Sequence, residues 1–322
     1  MIHSRPAVTP YALTAHTLTS ALGAGLSATL AGLRGARTGL RPCDFPDVDL
    51  TTWIGRVDGL EAHALTGAMA AYECRNNRLA DLALRQDGFE AAIDAARERY
   101  GAHRIGVFLG TSSAGILETE QAYRARDSVT GALPASFNFD GAHSVYSLGA
   151  FVQARLGLRG PGMVVSTACS SSAKVFGNAV RMIEAGFCDA ALVGGVDTLC
   201  LTTLYGFNSL GLVSAKPCRP FDAERDGISI GEGAAFVLLE SAHAAPHAPR
   251  LLGVGESSDA HHMSSPHPEG VGARLAIEAA LRAAALAPDQ IDYINLHGTA
   301  TRSNDASEDK GRSEEHTSEL QS

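Results

Sequence analysis

Short apolar, β-rich runs alternate with Ala-rich helical segments along most of this chain, and that alternation limits the folds open to it. Arg104–Leu109 (RIGVFL), Gly162–Ala168 (GMVVSTA), Ala190–Val196 (AALVGGV) and Ala234–Glu240 (AAFVLLE) each read as a strand. Arg250–Gly255 and Ile291–Leu296 (IDYINL) read as two more. Between them lie helical stretches. Ala173, Phe176, Val180 and Ile183 make one apolar stripe in a helix over about 170–185, and Ala273–Leu286 makes another helix before Pro288. Strands that are apolar throughout, separated by helices, predict a largely parallel sheet buried on both faces, an α/β fold.

The segment Leu13–Leu33 is fairly apolar, but seven Ser, Thr and His residues interrupt it, so it reads as strand, Gly turn and helix rather than as a signal peptide. With 322 residues, 45% of them hydrophobic, a large core is available and a solvating, disordered chain is excluded. The formal charge of −9 leaves no overall electrostatic footprint for nucleic acid. No run reaches the length of a membrane span, and the cytoplasm is the expected compartment. Residues 243–249 (HAAPHAP) mark the expected boundary between two halves, 1–242 and 243–311. Residues 312–322 (RSEEHTSELQS) differ in character, with Leu320 their single apolar residue. That string resembles the translated read-through of a sequencing adapter and is expected to be a non-native tail; the alternative is a short acidic tail.

Six cysteines are present, and none forms a C-x-x-C pair or a zinc spacing with histidine. Cys169 stands apart, because in Ser166-Thr167-Ala168-Cys169-Ser170-Ser171-Ser172 it ends an apolar strand and opens a helix. Free backbone N–H groups there favour a thiolate and an oxyanion, and small neighbours leave room for substrate. The residues alone admit two readings of Cys169, a nucleophile or an inert buried thiol. His297, in Asn295-Leu296-His297-Gly298-Thr299-Ala300-Thr301, is expected where an α/β sheet presents ligand-facing groups, at a strand's carboxyl end. It too reads either as a site group or as a core histidine.

Four motifs in order remove much of that ambiguity: TACSSS at 167–172, RPFDAERDG at 219–227 with GEGA at 231–234, SSDAHHMSSP at 257–266, and HGTAT at 297–301. This succession resembles the β-ketoacyl-acyl-carrier-protein synthases, the condensing enzymes of fatty acid and polyketide synthesis, from about Ala21 to Lys310. The resemblance implies a thiolase-like fold, two similar halves in five αβαβα layers, with the second half incomplete here. It implies that Cys169 accepts the acyl group from an acyl-carrier thioester. His297 would be the first of two histidines that assist decarboxylation of malonyl-carrier protein and hold the enolate oxygen. Thr299 and Thr301 match positions that bind the phosphopantetheine arm, and Glu308 matches a glutamate paired with a lysine further on. The protein itself would need no cofactor and no metal. Its expected partners are acyl carrier protein, with its malonyl and acyl thioesters, and a second synthase subunit, identical or a sister chain.

Some features depart from the family pattern. The second histidine, the lysine and the Gly-Phe-Gly loop of the family lie beyond the position of Lys310, so the chain as written is expected to show little or no condensation and to be inactive. Ile228 stands where Phe is usual, and Arg302-Ser303-Asn304 replaces a Pro-containing loop, a hint of a pigment or aryl-polyene branch. Three rival readings are a non-catalytic chain-length partner, a thiol acyltransferase or hydrolase on the same fold, and a metal enzyme using His261, His262 and His267. Arg75 with Arg78, and Arg124 with Arg126, read as either a docking patch or a solvated helix face. Phe137, Phe139 and Tyr146 read as core, and the loop Gly110–Gly115 as lining an acyl or subunit-interface region.

Overall fold

The computed structural model describes residues 10–262 and 265–313. The first part of the chain forms β1 (Tyr11–Ser20), β2 (Gly23–Ala24), α1 (Gly25–Arg34), β3 (Arg41–Pro42), β4 (Trp53–Gly55), α2 (Arg75–Leu84) and α3 (Phe89–Tyr100). Next come β5 (Ile105–Gly110), α4 (Ile116–Arg124), α5 (Tyr146–Leu156), β6 (Gly162–Val165), α6 (Ser171–Glu184), β7 (Ala190–Asp197) and α7 (Leu201–Ser209). The remainder holds β8 (Ile230–Gly231), β9 (Gly233–Ser241), β10 (Arg250–Leu251), α8 (Val271–Ala284) and α9 (Arg302–Ser313).

The main sheet runs in the order β10-β1-β9-β7-β5-β6, with β2 paired to β1. β6, β5 and β7 are parallel, whereas β9 and β1 are antiparallel to their neighbours. Each central strand is buried on both sides. Ile105, Val107 and Leu109 of β5 join one apolar cluster, which also takes in Leu79 and Leu84 of α2, Ile93 of α3 and Phe151 of α5. Phe108, on the opposite side of the same strand, packs with Val175, Ala179 and Val180 of α6. At about 25 cal/mol per Å², two-sided burial of this kind is what holds such a sheet together. The N-terminal segment forms a strand, a Gly turn and a helix, as expected, and among the described residues no helix is long and apolar enough to cross a membrane.

Several expectations need correction. The strand expected to reach Ala168 stops at Val165, because residues 167–171 fold back on themselves. In α6 the expected stripe holds for Phe176, Val180 and Ile183, which pack in one apolar cluster with Val175 and Ala179, while Ala173 is exposed in the first turn. The strand at 250–255 shrinks to Arg250–Leu251. Residues 291–296 form no strand, since among the described residues no neighbouring strand offers them a ladder. Tyr293 is left 79% exposed, and an apolar hollow of about 290 Å³ opens between α8 and residues 291–295.

Phe139 and Tyr146 are exposed rather than core, standing on a π-turn over Phe139–His143 and on the first turn of α5. Arg75 is neither a docking patch nor a solvated face. It is buried at 7% exposure, with its guanidinium forked onto Glu232 at 2.7 and 2.8 Å and onto Glu61 at 2.7 Å. Arg124 pairs with Asp47 at 2.7 Å on the surface.

Candidate active site

The site is built where the loop after β6 meets the loop before α9. Beyond Val165 the backbone turns sharply. The Thr167 N–H donates to the Ser171 hydroxyl at 2.9 Å, and the Ser171 N–H donates to the Ala168 carbonyl at 3.1 Å. Ala168 sits at φ +52, a left-handed conformation that costs a non-glycine residue energy and is found chiefly where a turn must present its neighbour. Its neighbour is Cys169, exposed just ahead of the N-terminus of α6. Ser171 and Ser172 can lie against the strand ends because Gly110 and Gly195 have no side chains; a Cβ on either would come within 2.4 Å of α6.

His297 does not end a strand. Two carboxylates of α9 set its loop instead. Glu308 accepts the backbone N–H groups of His297 and Gly298 at 2.6 and 2.9 Å. Asp305, fully buried, accepts the Ala300 N–H at 3.1 Å with one oxygen and the Phe221 N–H at 2.8 Å with the other. Arg225 stands 3.3 Å from that second oxygen. Gly298 and Ala300 take the left-handed backbone, at φ +53 and +61, that this tight loop requires.

The consequence is that the side chains of Cys169 and His297 are brought together and couple. The interaction with His297 lowers the Cys169 thiol below the ordinary value, against burial, with help from the imidazole charge and the cysteine's own N–H; Asp197 works the other way. The same interaction raises His297 above the ordinary imidazole value against its partial burial, with the Cys169, Glu308 and Asp305 charges adding to it. The other described thiols with resolved shifts go up, because burial dominates them. Cys74 is pushed up to about 12, and Cys188, Cys200 and Cys218 rise as well. A lowered thiol in an exposed turn, paired with an imidazole, has the chemistry of a nucleophile rather than of an inert buried cysteine.

The other expected site residues fall close by. Thr299 and Thr301 hydrogen-bond each other through their hydroxyls at 2.8 Å in the His297 loop. Glu308 is engaged by backbone N–H groups, a role with no sign in its sequence spacing. Asp305 and Asp197 have structural roles that sequence reasoning missed. Asp305 lies eight residues after His297, and that nearness in sequence was the available signal for it; Asp197 had none. Ile228 is partly buried and exchanges backbone hydrogen bonds with Leu212 and Ser214.

Asp259 accepts the backbone N–H groups of His261 and His267 at 3.1 and 2.8 Å, and those two rings stack edge-on at 4.9 Å. Among the described residues no group of three or more His, Cys, Asp or Glu side chains is placed to hold a metal. Met263 and Ser264 of that motif, and residues 314–322 of the tail, lie outside the described residues.

Comparison with known proteins agrees with this geometry. Residues 68–245 match the family model for the beta-ketoacyl synthase N-terminal domain, and residues 249–319 match that for the C-terminal domain. The chain is 35% identical over 240 residues to 3-oxoacyl-[acyl-carrier-protein] synthase 2 of Vibrio cholerae, an alignment covering 70% of this chain and 57% of that protein. It is 34% identical over 296 residues to nodulation protein E of Rhizobium meliloti, covering 90% of this chain and 68% of the relative. Among solved structures, a chain of the ketosynthase (ApeO)–chain length factor (ApeC) complex of Xenorhabdus doucetiae superposes with a TM-score of 0.84 at 37% identity. That superposition covers 96% of this chain and 77% of the other. The chain thus spans little more than half the length of the first of these curated relatives. With both family models matched in order and a lowered thiol set against a histidine, the chain belongs to the beta-ketoacyl synthase family, of thiolase-like fold.

Proposed function

We propose that the chain carries the acyl-accepting site of a 3-oxoacyl-[acyl-carrier-protein] synthase, which lengthens an acyl chain by decarboxylative Claisen condensation with malonyl-carrier protein. The observation that carries this reading is the meeting of the Cys169 turn with the His297 loop, where the two side chains couple so that the thiol is lowered and the imidazole raised. The Cys169 sulfur attacks the carbonyl of an acyl thioester, and the carrier thiol leaves. Malonyl thioester then loses CO₂, and the electron pair of the broken bond becomes an enolate. In this reading the His297 imidazole N–H stabilises the enolate oxygen. The enolate carbon attacks the Cys169 thioester, the S–C bond breaks, and the sulfur is free again. The electrons for the new carbon–carbon bond come from the carboxylate lost, so the step needs no redox group.

Thr299 and Thr301, adjacent on the His297 loop, are placed in this reading against the carrier's phosphopantetheine arm. Glu308 and Asp305 hold the loop that presents them. The condensation is proposed for the complete enzyme; for these 322 residues the proposal covers transfer of the acyl group to Cys169. The division at residues 242 and 243 belongs to the same reading. It is supported by the turns between β9 and β10 and by the break between the two family matches. Acyl carrier protein and a second synthase subunit are the proposed partners, the cytoplasm the proposed compartment. The pairing of ApeO with a chain length factor favours a sister chain over an identical one, with this chain as the catalytic member because it holds Cys169.

The test is intact-mass and peptide mass spectrometry after incubation with an acyl-pantetheine thioester, with and without malonyl-pantetheine. An acyl adduct on Cys169, lost in Cys169→Ala, is expected. Release of free acid in place of a stable adduct would favour a hydrolase, and no adduct would remove the acyl-transfer reading.

A further inference from the structure

The motif RPFDAERDG at 219–227 has no part in the proposed chemistry, yet it folds against the loop that carries His297. Several contacts join the two segments. The Cys218 thiol donates to the Thr299 carbonyl at 3.7 Å. The Phe221 N–H donates to Asp305 at 2.8 Å, and Arg225 stands 3.3 Å from the same oxygen. At Gly298, next to His297, a side chain would begin 3.3 Å from Pro220 and 3.7 Å from the ring of Phe221. Glu308 and Asp305 thus hold the His297 loop by its backbone N–H groups, whereas Pro220 and Phe221 meet it by apolar contact.

Phe221 makes that contact from a strained backbone. It sits at φ +61, in the left-handed region, where a bulky residue is an outlier. The other described non-glycine residues with positive φ are all alanine or aspartate. Glycine at 221 would take the same conformation without strain. Burial does not explain the ring either, since Phe221 is 38% exposed and gains less from leaving water than a core residue. What the ring adds is its contact with the Gly298 turn. Strain of this kind persists where the surroundings over-determine it, and it gathers at functional sites.

We propose that Phe221 is a positioning residue of the site: its ring braces the Gly298 turn and so keeps His297 in place beside Cys169. Asp305 links the two halves of this device. One of its oxygens takes the Ala300 N–H and shapes the His297 loop; the other takes the Phe221 N–H and fixes the residue that backs that loop. The inference rests on the Cys169–His297 site of the proposed function.

The experiment uses the full 322-residue chain with Phe221→Gly, alone and combined with His297→Ala, and with Phe221→Tyr as the rescue. Glycine keeps the left-handed backbone, and with it the Asp305 bond, so only the ring is lost. Hydrogen exchange of the peptide carrying residues 297–301 should quicken about three- to tenfold in Phe221→Gly. Alkylation of Cys169 by iodoacetamide at neutral pH should slow about threefold, part of the tenfold effect expected from loss of the imidazole itself. Phe221→Tyr, which keeps the ring, should match the wild type in both. In the His297→Ala background Phe221→Gly should leave the Cys169 rate within about 1.5-fold, because residues that act through one another are not additive. An equal loss in both backgrounds overturns the inference, as do unchanged exchange and alkylation in Phe221→Gly. If Cys74 and Cys188 become alkylated in that variant, it has unfolded. Phe221→Asn, which also tolerates the left-handed backbone, then takes its place under the same criteria. A wild-type Cys169 no faster than Cys43, or indifferent to His297→Ala, removes the site reading and the inference with it. A Cys169 slowed by His297→Ala but indifferent to Phe221→Gly removes only the inference.

Discussion

The carboxylate of Asp305 accepts the Phe221 backbone N–H at 2.8 Å, tying the loop after α7 to the helix that carries the His297 loop. The carboxylate is fully buried, with Arg225 as its charged neighbour. Asp305→Ala would leave the Ala300 and Phe221 N–H groups and the Arg225 cation short of a partner. A loss of about 3 kcal/mol is expected, read as a lower denaturant midpoint. The same variant should slow alkylation of Cys169 at neutral pH, because His297 is no longer held against the sulfur.

Removing the imidazole isolates its effect on the thiol. His297→Ala should move the Cys169 alkylation profile to higher pH and reduce its rate at neutral pH by about tenfold, one pKa unit being a factor of ten. Cys43, remote from the loop, should be unaffected and serves as the internal control. An unshifted Cys169 profile would mean that the imidazole does not activate the sulfur.

The buried pair Arg75–Glu232 is a structural knot rather than a surface feature. Glu232 also accepts the N–H groups of Val57 and Leu199 at 2.9 and 3.2 Å, so its carboxylate joins the segments just after β4 and β7 to Arg75 of α2. Glu232→Ala leaves a buried guanidinium without its fork and should cost about 3–5 kcal/mol. Thermal denaturation followed by circular dichroism checks this, and a change within about 0.5 kcal/mol, typical of a surface site, would contradict it.

Glu61, on the outer side of the same knot, links stability to acid. Burial raises its carboxyl, but hydrogen bonds from Arg56 and Arg75 outweigh this and hold it at about 2. A carboxyl lower in the folded than in the unfolded chain stabilises the fold fully above its unfolded value, near pH 4.5. That stabilisation is lost as pH falls from there toward about 2. Because the side chain is half exposed, solvent screening keeps its share small. The expected result is a melting temperature that falls less steeply over that interval in Glu61→Gln than in the wild type.

The sequence by itself determined the sheet and its helices. In β5 every residue is apolar or small, as is every residue of β7 and β9 before Asp197 and Glu240 near their ends, and in α6 the apolar residues recur at helical spacing, so local composition reports which surfaces must be buried. The motifs around Cys169 and His297 were legible for the same reason, each being a short contiguous string. What only the tertiary structure decided is which distant polar groups meet. Arg75 looks like any surface arginine until Glu232 is found beneath it, and Asp197 carries no mark of the five donors it collects from Thr111, Ser112 and Ser113. Residues 291–296 have a strand's composition but form none without a neighbour to supply the ladder. Apolar burial is encoded locally, because one side chain's transfer from water is nearly independent of which apolar neighbour covers it. A polar or charged group is satisfied only by a particular partner at hydrogen-bond distance, and that partner is supplied by the fold.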